Sequence, residues 1–334
     1  MLTFTTQTWD LLESLSDAEA EHSYWSRIRP GYVKDTDFER ATRKLLQYKR
    51  PQFAIDFLAL FSHGEEARVQ PSLALEVMEQ LIAVTQEQQI QWGDIGYDLS
   101  RLMEIVRQSP DIDQLRVAKL EWYFMPLLEN YGGGPTLLHQ ELSRDPNFFV
   151  ELIQLIFRSD RQEPDEQLEH NAARAESAFR IINSWHICPG ESQGSVDREL
   201  LQDWVSQARA KLYDSGRGTI GDQQIGQALA ESPPGADGVY PHEHVREIIE
   251  ELSNQEIERG FEVRVFNNRG VTTRGLTDSG TQERVLADKY TGYANKINDA
   301  SPRTAAMLRR IAESYQGEAR RQDISAELTE DFWR

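Results

Sequence analysis

Apolar residues recur at three- and four-residue spacing along nearly the whole chain, and the alternation of a strand is almost absent. That pattern predicts helices near 7–15, 17–27, 36–47, 51–62, 71–86, 95–108, 112–130, 135–143, 146–158, 168–185, 197–213, 222–231, 241–258, 280–298 and 302–320. Local chemistry marks several of the starts. Thr36 with Glu39 in "TDFE" and Ser279 with Gln282 in "SGTQ" have capping-box spacing. Asp145 and Ser301 precede Pro146 and Pro302, and proline suits the first helical position because the donor it lacks would be unpaired there anyway. The one strand-like segment is "FEVRVFN", where Phe261, Val263 and Val265 alternate with Glu262, Arg264 and Phe266. It reads as one edge of a small hairpin, at most within 261–276, or as an extended connector. Pro126 in "EWYFMPLL" is expected to bend or break its helix, since its ring removes a donor and crowds the carbonyl four residues back.

Breakers fall between the helical segments: "YGGGP" at 131–135, "CPGESQGS" at 188–195, "DSGRGT" at 214–219 and "SPPGADGVYP" at 232–241, each read as a helix-to-helix turn. The acidic segment 159–167 is the candidate boundary between two regions, a helical-hairpin array over 1–160 and a C-terminal helical module with longer loops over 168–334. "LLQYKRPQFAIDFLALF" resembles the middle of a tetratricopeptide repeat: Lys49 stands where that family prefers glycine, Ala54 follows at the small packing position, and Leu58 and Phe61 complete the spacing. The match covers one hairpin and does not recur at a 34-residue period. A second resemblance runs through "KLEWYFMPLLEN", "LHQELSRDPNFFVELIQLIF", "IGQALAESPPGADGVYPHEHVREIIE", "NNRGVTTRGLTDSGTQERVLADKY" and "SPRTAAMLRRIAESY". These segments resemble the C-terminal helical region of large bacterial multidomain proteins. That resemblance implies a recognition or scaffold segment working with an effector or NTPase domain elsewhere. The chain itself has no G-x-x-x-x-G-K-[ST] phosphate loop.

Charge narrows the partners. The 334 residues carry a net charge of −19, which repels nucleic-acid backbones and anionic membranes. The distribution is uneven: residues 264–321 hold eleven Arg or Lys against six Asp or Glu, and residues 1–263 alone carry −21. A single cysteine, Cys188, excludes an internal disulfide and any multi-cysteine zinc site. The amino terminus lacks the basic start and apolar core of a signal peptide, and no run of about 18 apolar residues occurs. A cytoplasmic protein is the expectation.

Little in the chain foreshadows catalysis. His242 and His244 in "HEH" point about 200° apart on a helix, and His186 with Cys188 in "HIC" has no second thiol at ligand spacing. These read as loop histidines, exposed at 242 and 244 and partly packed at 186. No G-x-S-x-G elbow is present, and adjacent acids such as Glu250 and Glu251 read as solvated helix faces. The strongest candidate site is "NNRGVTTRGLTDSGTQER" at 267–284 with the arginine before it. Arg264, Arg269, Arg274 and Arg284 supply forked guanidinium donors, glycines permit close backbone approach, and the helix start at Ser279 adds unpaired amides suited to an anion or a partner's acidic patch. The alternative is that these arginines pair with the protein's own excess of Asp and Glu.

The sequence thus predicts an all-α protein, a TPR/HEAT-like stack of helical hairpins with an irregular C-terminal helical module. It is expected to act without cofactor or metal as a protein–protein interaction or scaffold element whose acidic face takes basic segments. A nucleic-acid or phosphate sensor using the 264–321 strip, and a hydrolase with a carboxylate-based site, are the competing classes.

Overall fold

Prolines at Pro51, Pro71, Pro146 and Pro302 each open a helix. The computed structural model describes residues 3–31, 37–62, 69–87, 95–131, 134–160, 169–270 and 279–332. Among them are sixteen helices and one two-stranded hairpin, an all-α architecture. No helix of the described residues is long and apolar enough to cross a membrane. The chain divides into two compact units, Met1–Leu138 and His139–Arg334. Of the acidic segment 159–167, residues 161–167 lie outside the described residues.

The first unit holds α1 (Thr6–Leu15), α2 (Ala18–Arg27), α3 (Phe38–Gln47), α4 (Pro51–Leu60), α5 (Pro71–Glu87), α6 (Gly96–Arg107), α7 (Gln114–Tyr131) and the start of α8 (Thr136–Arg144). From α3 to α7 each helix packs on the next, and α4 also reaches α6 as α5 reaches α7. In the α3–α4 hairpin Lys49 adopts a left-handed φ of 53°, and Ala54 and Leu58 are fully buried. Aromatic rings anchor the first two helices: Trp9 and Trp25 lie 5.5 Å apart, and Trp9 Nε1 donates to Tyr24 Oη, which donates in turn to the Thr3 carbonyl. Pro126 does not end α7, which runs on to Tyr131.

The second unit continues with α9 (Pro146–Ile156), α10 (Glu169–Ser184), β1 (Glu191–Ser192), β2 (Ser195–Val196), α11 (Arg198–Asp214), α12 (Gly218–Leu229), α13 (Glu243–Leu252), α14 (Gln255–Asn267), α15 (Thr281–Ile297) and α16 (Pro302–Phe332). Two close pairings dominate it, α12 with α14 and α15 with α16. Gly226 faces the Ile257 carbonyl and Gly260 faces the Gln223 carbonyl, so α12 and α14 meet backbone to backbone with no room for a side chain.

Several local expectations give way. The segment "FEVRVFN" is helical within α14, so no hairpin edge forms there; residues 271–276 lie outside the described residues. Its buried residues Ile257, Phe261 and Val265 follow four-residue spacing, while Val263 is exposed, so packing on α12 selects the helical period over the alternating one. The predicted helix 241–258 is two helices: Ser253 turns left-handed at φ 49°, and the Asn254 side chain accepts from the Glu256 and Ile257 amides to start α14. The hairpin lies instead at "ESQGSV", whose turn residues Gln193 and Gly194 have φ of 53° and 80°.

Several helix ends are closed by charges from elsewhere in the chain. Glu121 accepts from the Leu138 amide at the start of α8 (2.6 Å), and Glu250 accepts from the Thr304 and Arg303 amides at the start of α16 (2.7 and 3.2 Å). Asp323 accepts from the amide of Gly280, the cap of α15, where Ser279 had been expected to cap. At the opposite ends, Arg50 donates to the Trp25 and Ile28 carbonyls of α2, and Arg217 to the Phe157 carbonyl closing α9. Thr36, the other expected cap, lies outside the described residues, whereas Asp145 caps α9 through the Asn147 amide.

Alanine at Gly226 or Gly260 forces α12 and α14 apart and is expected to destabilise the protein by at least about 1–3 kcal/mol. Gly292→Ala, on an exposed face of α15 with open space beside it, should stabilise by about 0.5–1 kcal/mol. Urea titrations of the three variants test both signs.

Candidate functional site

The arginines singled out by the sequence are placed at separate positions. Arg264 is on the buried side of α14, only 4% exposed. Its guanidinium donates to the Trp185 and Asn183 carbonyls at the end of α10 (2.6 and 3.1 Å), pairs with Glu231 beyond the end of α12, and lies 3.2 Å from His186 Nδ1. Arg269 pairs with the fully buried Glu283, lies 3.8 Å from Glu318 and stands over the Tyr315 ring. Arg284 pairs with Asp323, and Ser279 Oγ meets Thr281 Oγ1 at 2.8 Å. Arg274 lies outside the described residues. The three described arginines therefore engage three different sets of carboxylates.

The histidines depart from expectation, His242 and His186 in opposite directions. His242 is buried, not exposed, because it caps α13: its Nδ1 accepts from the His244 amide, and its Nε2 lies 3.4 Å from the Val196 nitrogen across the hairpin. Burial lowers its pKa. His186 is exposed, whereas Cys188 is fully buried, and burial, with Glu191 and Glu231 nearby, pushes its thiol well above the ordinary range. Among the described residues no group of three His, Cys, Asp or Glu could hold a metal ion.

What the sequence did not mark is a cleft of about 640 Å³ in the second unit. It forms where the end of α8, the start of α9, the β1–β2 hairpin, the first turns of α11 and His244 meet. The hairpin is fixed at both ends. The Gly190 amide donates to the Ser143 carbonyl at 3.4 Å and its carbonyl accepts from the Asp197 amide at 2.9 Å, with Gly190 at φ 74° so close to Leu201 that a side chain would strike backbone. The apolar wall is Pro146, Val196 and Trp204, whose indole N–H donates to the Leu142 carbonyl at 3.0 Å. Leu200, in the first turn of α11, is 62% exposed at the same cleft.

Charged groups ring this wall. Arg198 pairs with Glu247 and Glu251 (2.7 and 3.2 Å), and Arg144 with Glu141 (3.5 Å). Glu191 accepts from the Cys188 amide, Asp197 caps α11 through the Leu200 amide, and Asp203 accepts from Gln207. None of these three acids has a cationic partner among the described residues. Burial raises the pKa of Glu191 against the pull of the Cys188 amide, and Glu231 adds to the rise. A second, more open groove of about 530 Å³ lies between α11 and α13, lined by Val205, Ile248, Leu252 and Arg209.

No protein-family model, curated protein or solved structure matches this chain.

Two predictions follow from the Arg264 node. Arg264→Ala leaves Glu231 without its buried partner and should cost about 3–5 kcal/mol in urea denaturation, whereas Arg284→Ala, at a half-exposed pair, should cost under about 1 kcal/mol. His139, 3.2 Å from Ser184 Oγ, is held down to a pKa of about 4 by burial and by the neighbouring His186 and Arg264. The unfolded histidine takes up its proton first, so the stability due to neutral His139 is full above about pH 6.5 and is lost as pH falls towards about 4. His139→Gln should flatten the dependence of stability on pH across that window by up to about 1.4 kcal/mol per pH unit.

Proposed function

We propose that the chain is a non-catalytic protein–protein interaction or scaffold module whose partners present basic segments to an acidic surface. The observation that carries this reading is the allocation of charge. The described arginines of the 264–284 segment are spent on the protein's own carboxylates, as are Arg303 on Glu258 and Arg310 on Glu258 and Glu262. Five of the eleven basic residues of the 264–321 strip are therefore paired with carboxylates, and the surplus of the −19 chain falls to acids facing solvent. The consecutive packing of α3 to α7, with its next-neighbour contacts, supports a TPR/HEAT-like stack in the first unit, an arrangement that offers partners extended helical faces. Together with the resemblance to helical regions of bacterial multidomain proteins, this points to the recognition segment of a multidomain or multi-subunit system in the bacterial cytoplasm.

Capture from a native bacterial extract, with and without nuclease, tests the reading. A protein partner that survives nuclease and is released as salt rises from about 0.05 to about 0.5 M is the expected result. Recovery of nucleic acid alone, lost on nuclease treatment, would sink the interaction reading in favour of a sensor of nucleic acid.

A further inference from the structure

We propose that the cleft between the β1–β2 hairpin and the first turns of α11 is a docking site for a peptide segment carrying one apolar side chain with a lysine or arginine on either side. The proposal rests on the interaction reading above and names the partner chemistry and the place.

The apolar half of the argument is Leu200. Leu200 is 62% exposed in the first turn of α11 and lines the cleft with Pro146, Val196 and Trp204. At about 640 Å³ the cleft lies in the range of about 300–1,000 Å³ in which proteins hold small ligands and anchoring side chains. Its walls are fixed before any ligand arrives, by the left-handed Gly190, the Trp204–Leu142 hydrogen bond and the buried His242 behind the hairpin. A preformed pocket spends little of its binding free energy on ordering.

The charged half is the contrast between the cations and the anions that line it. Both arginines are satisfied from within the unit, Arg198 by Glu247 and Glu251 and Arg144 by Glu141. The acids are not. Asp203 stands three residues after Leu200 on α11, a spacing that sets it on the same side of the helix as the leucine; Asp197, the cap of α11, and Glu191 of the hairpin line the same cleft. Among the described residues their hydrogen bonds come from uncharged amides only. Elsewhere in the unit the buried acids Asp222, Glu231, Glu258 and Glu283 each hold an arginine. At this cleft three carboxylates without a cationic partner among the described residues border an exposed apolar side chain, and a ligand cation on each side of an apolar side chain completes the pattern.

Isothermal titration of the full chain with three blocked peptides of about nine residues tests the assignment: a central leucine flanked by arginines, the same leucine flanked by glutamates, and a central alanine flanked by arginines. Micromolar binding of the first, at least about tenfold tighter than either of the others, is expected. The triple variant Glu191→Gln/Asp197→Asn/Asp203→Asn keeps every amide hydrogen bond and the α11 cap while removing the charges, so its circular dichroism and thermal midpoint should match the unmodified chain. It should bind the arginine–leucine peptide at least about tenfold more weakly, and Leu200→Ala about threefold or more. Failure of the first peptide to bind, or undiminished binding by the triple variant and by Leu200→Ala, overturns the proposal. A nuclease-resistant partner captured equally by the triple variant also overturns the cleft, while leaving the interaction reading intact.

Discussion

Every helix end leaves backbone groups without partners, and at six of its helix ends this protein meets that constraint by reaching across from elsewhere in the chain with a charge of the matching sign. Carboxylates of Glu121, Glu250 and Asp323 take the amides at the starts of α8, α16 and α15. Guanidiniums of Arg50, Arg217 and Arg264 take the carbonyls at the ends of α2, α9 and α10. Each such bond does two things at once: it closes a helix and fixes where another helix lies. A chain built of short helices, most of them three to five turns, has many ends to close, which gives these charges a structural role out of proportion to their number.

The same economy explains how an acidic chain can bury so many ions. Asp222 receives Arg209 through two bonds, the Tyr213 hydroxyl and the Asn254 amide, and Glu121 receives Arg107 as well as a helix start. A buried pair of this kind adds little net stability over a hydrophobic pair of similar size, but loss of one member leaves a stranded charge, so the pairs select one arrangement against its neighbours. Arg264 shows the effect most fully. It joins α14 to the ends of α10 and α12, and the backbone approach at Gly226 and Gly260 brings α14 close enough to α12 for that to happen.

This division of labour also decides what could be read in the sequence. Periodicity and first-turn prolines located the helices because both are local signals, and Pro51, Pro71, Pro146 and Pro302 start helices where the pattern places them. Capping at Ser279 failed because the group that closes α15 sits at Asp323, which no local window contains. The strand-like "FEVRVFN" misled because Phe261 and Val265 satisfy both periods, and only the exposure of Val263 between them distinguishes the two. The left-handed turn at Ser253 carried a usable signal in the Asn254 that follows it, and so did the Gln193–Gly194 turn of the hairpin. The arginine segment was prominent as composition, but composition does not reveal that Glu231, Glu283 and Asp323 were waiting for it. The cleft was illegible for the opposite reason: its lining runs from Ser143 to His244, and each contributing stretch is unremarkable alone.

The contact between α12 and α14 bears on how this chain can change over time. Because Gly226 and Gly260 touch carbonyls of the opposing backbone, the two positions are coupled to each other through main-chain geometry and are blind to the chemistry of surrounding side chains. Most of the surface can drift freely, and even core residues can trade volume with their neighbours, but no compensating substitution nearby makes room for a side chain at either glycine. Room for a side chain at either glycine comes only from moving one backbone off the other, which also pulls Arg264, four residues after the second glycine, from the carbonyls that it closes.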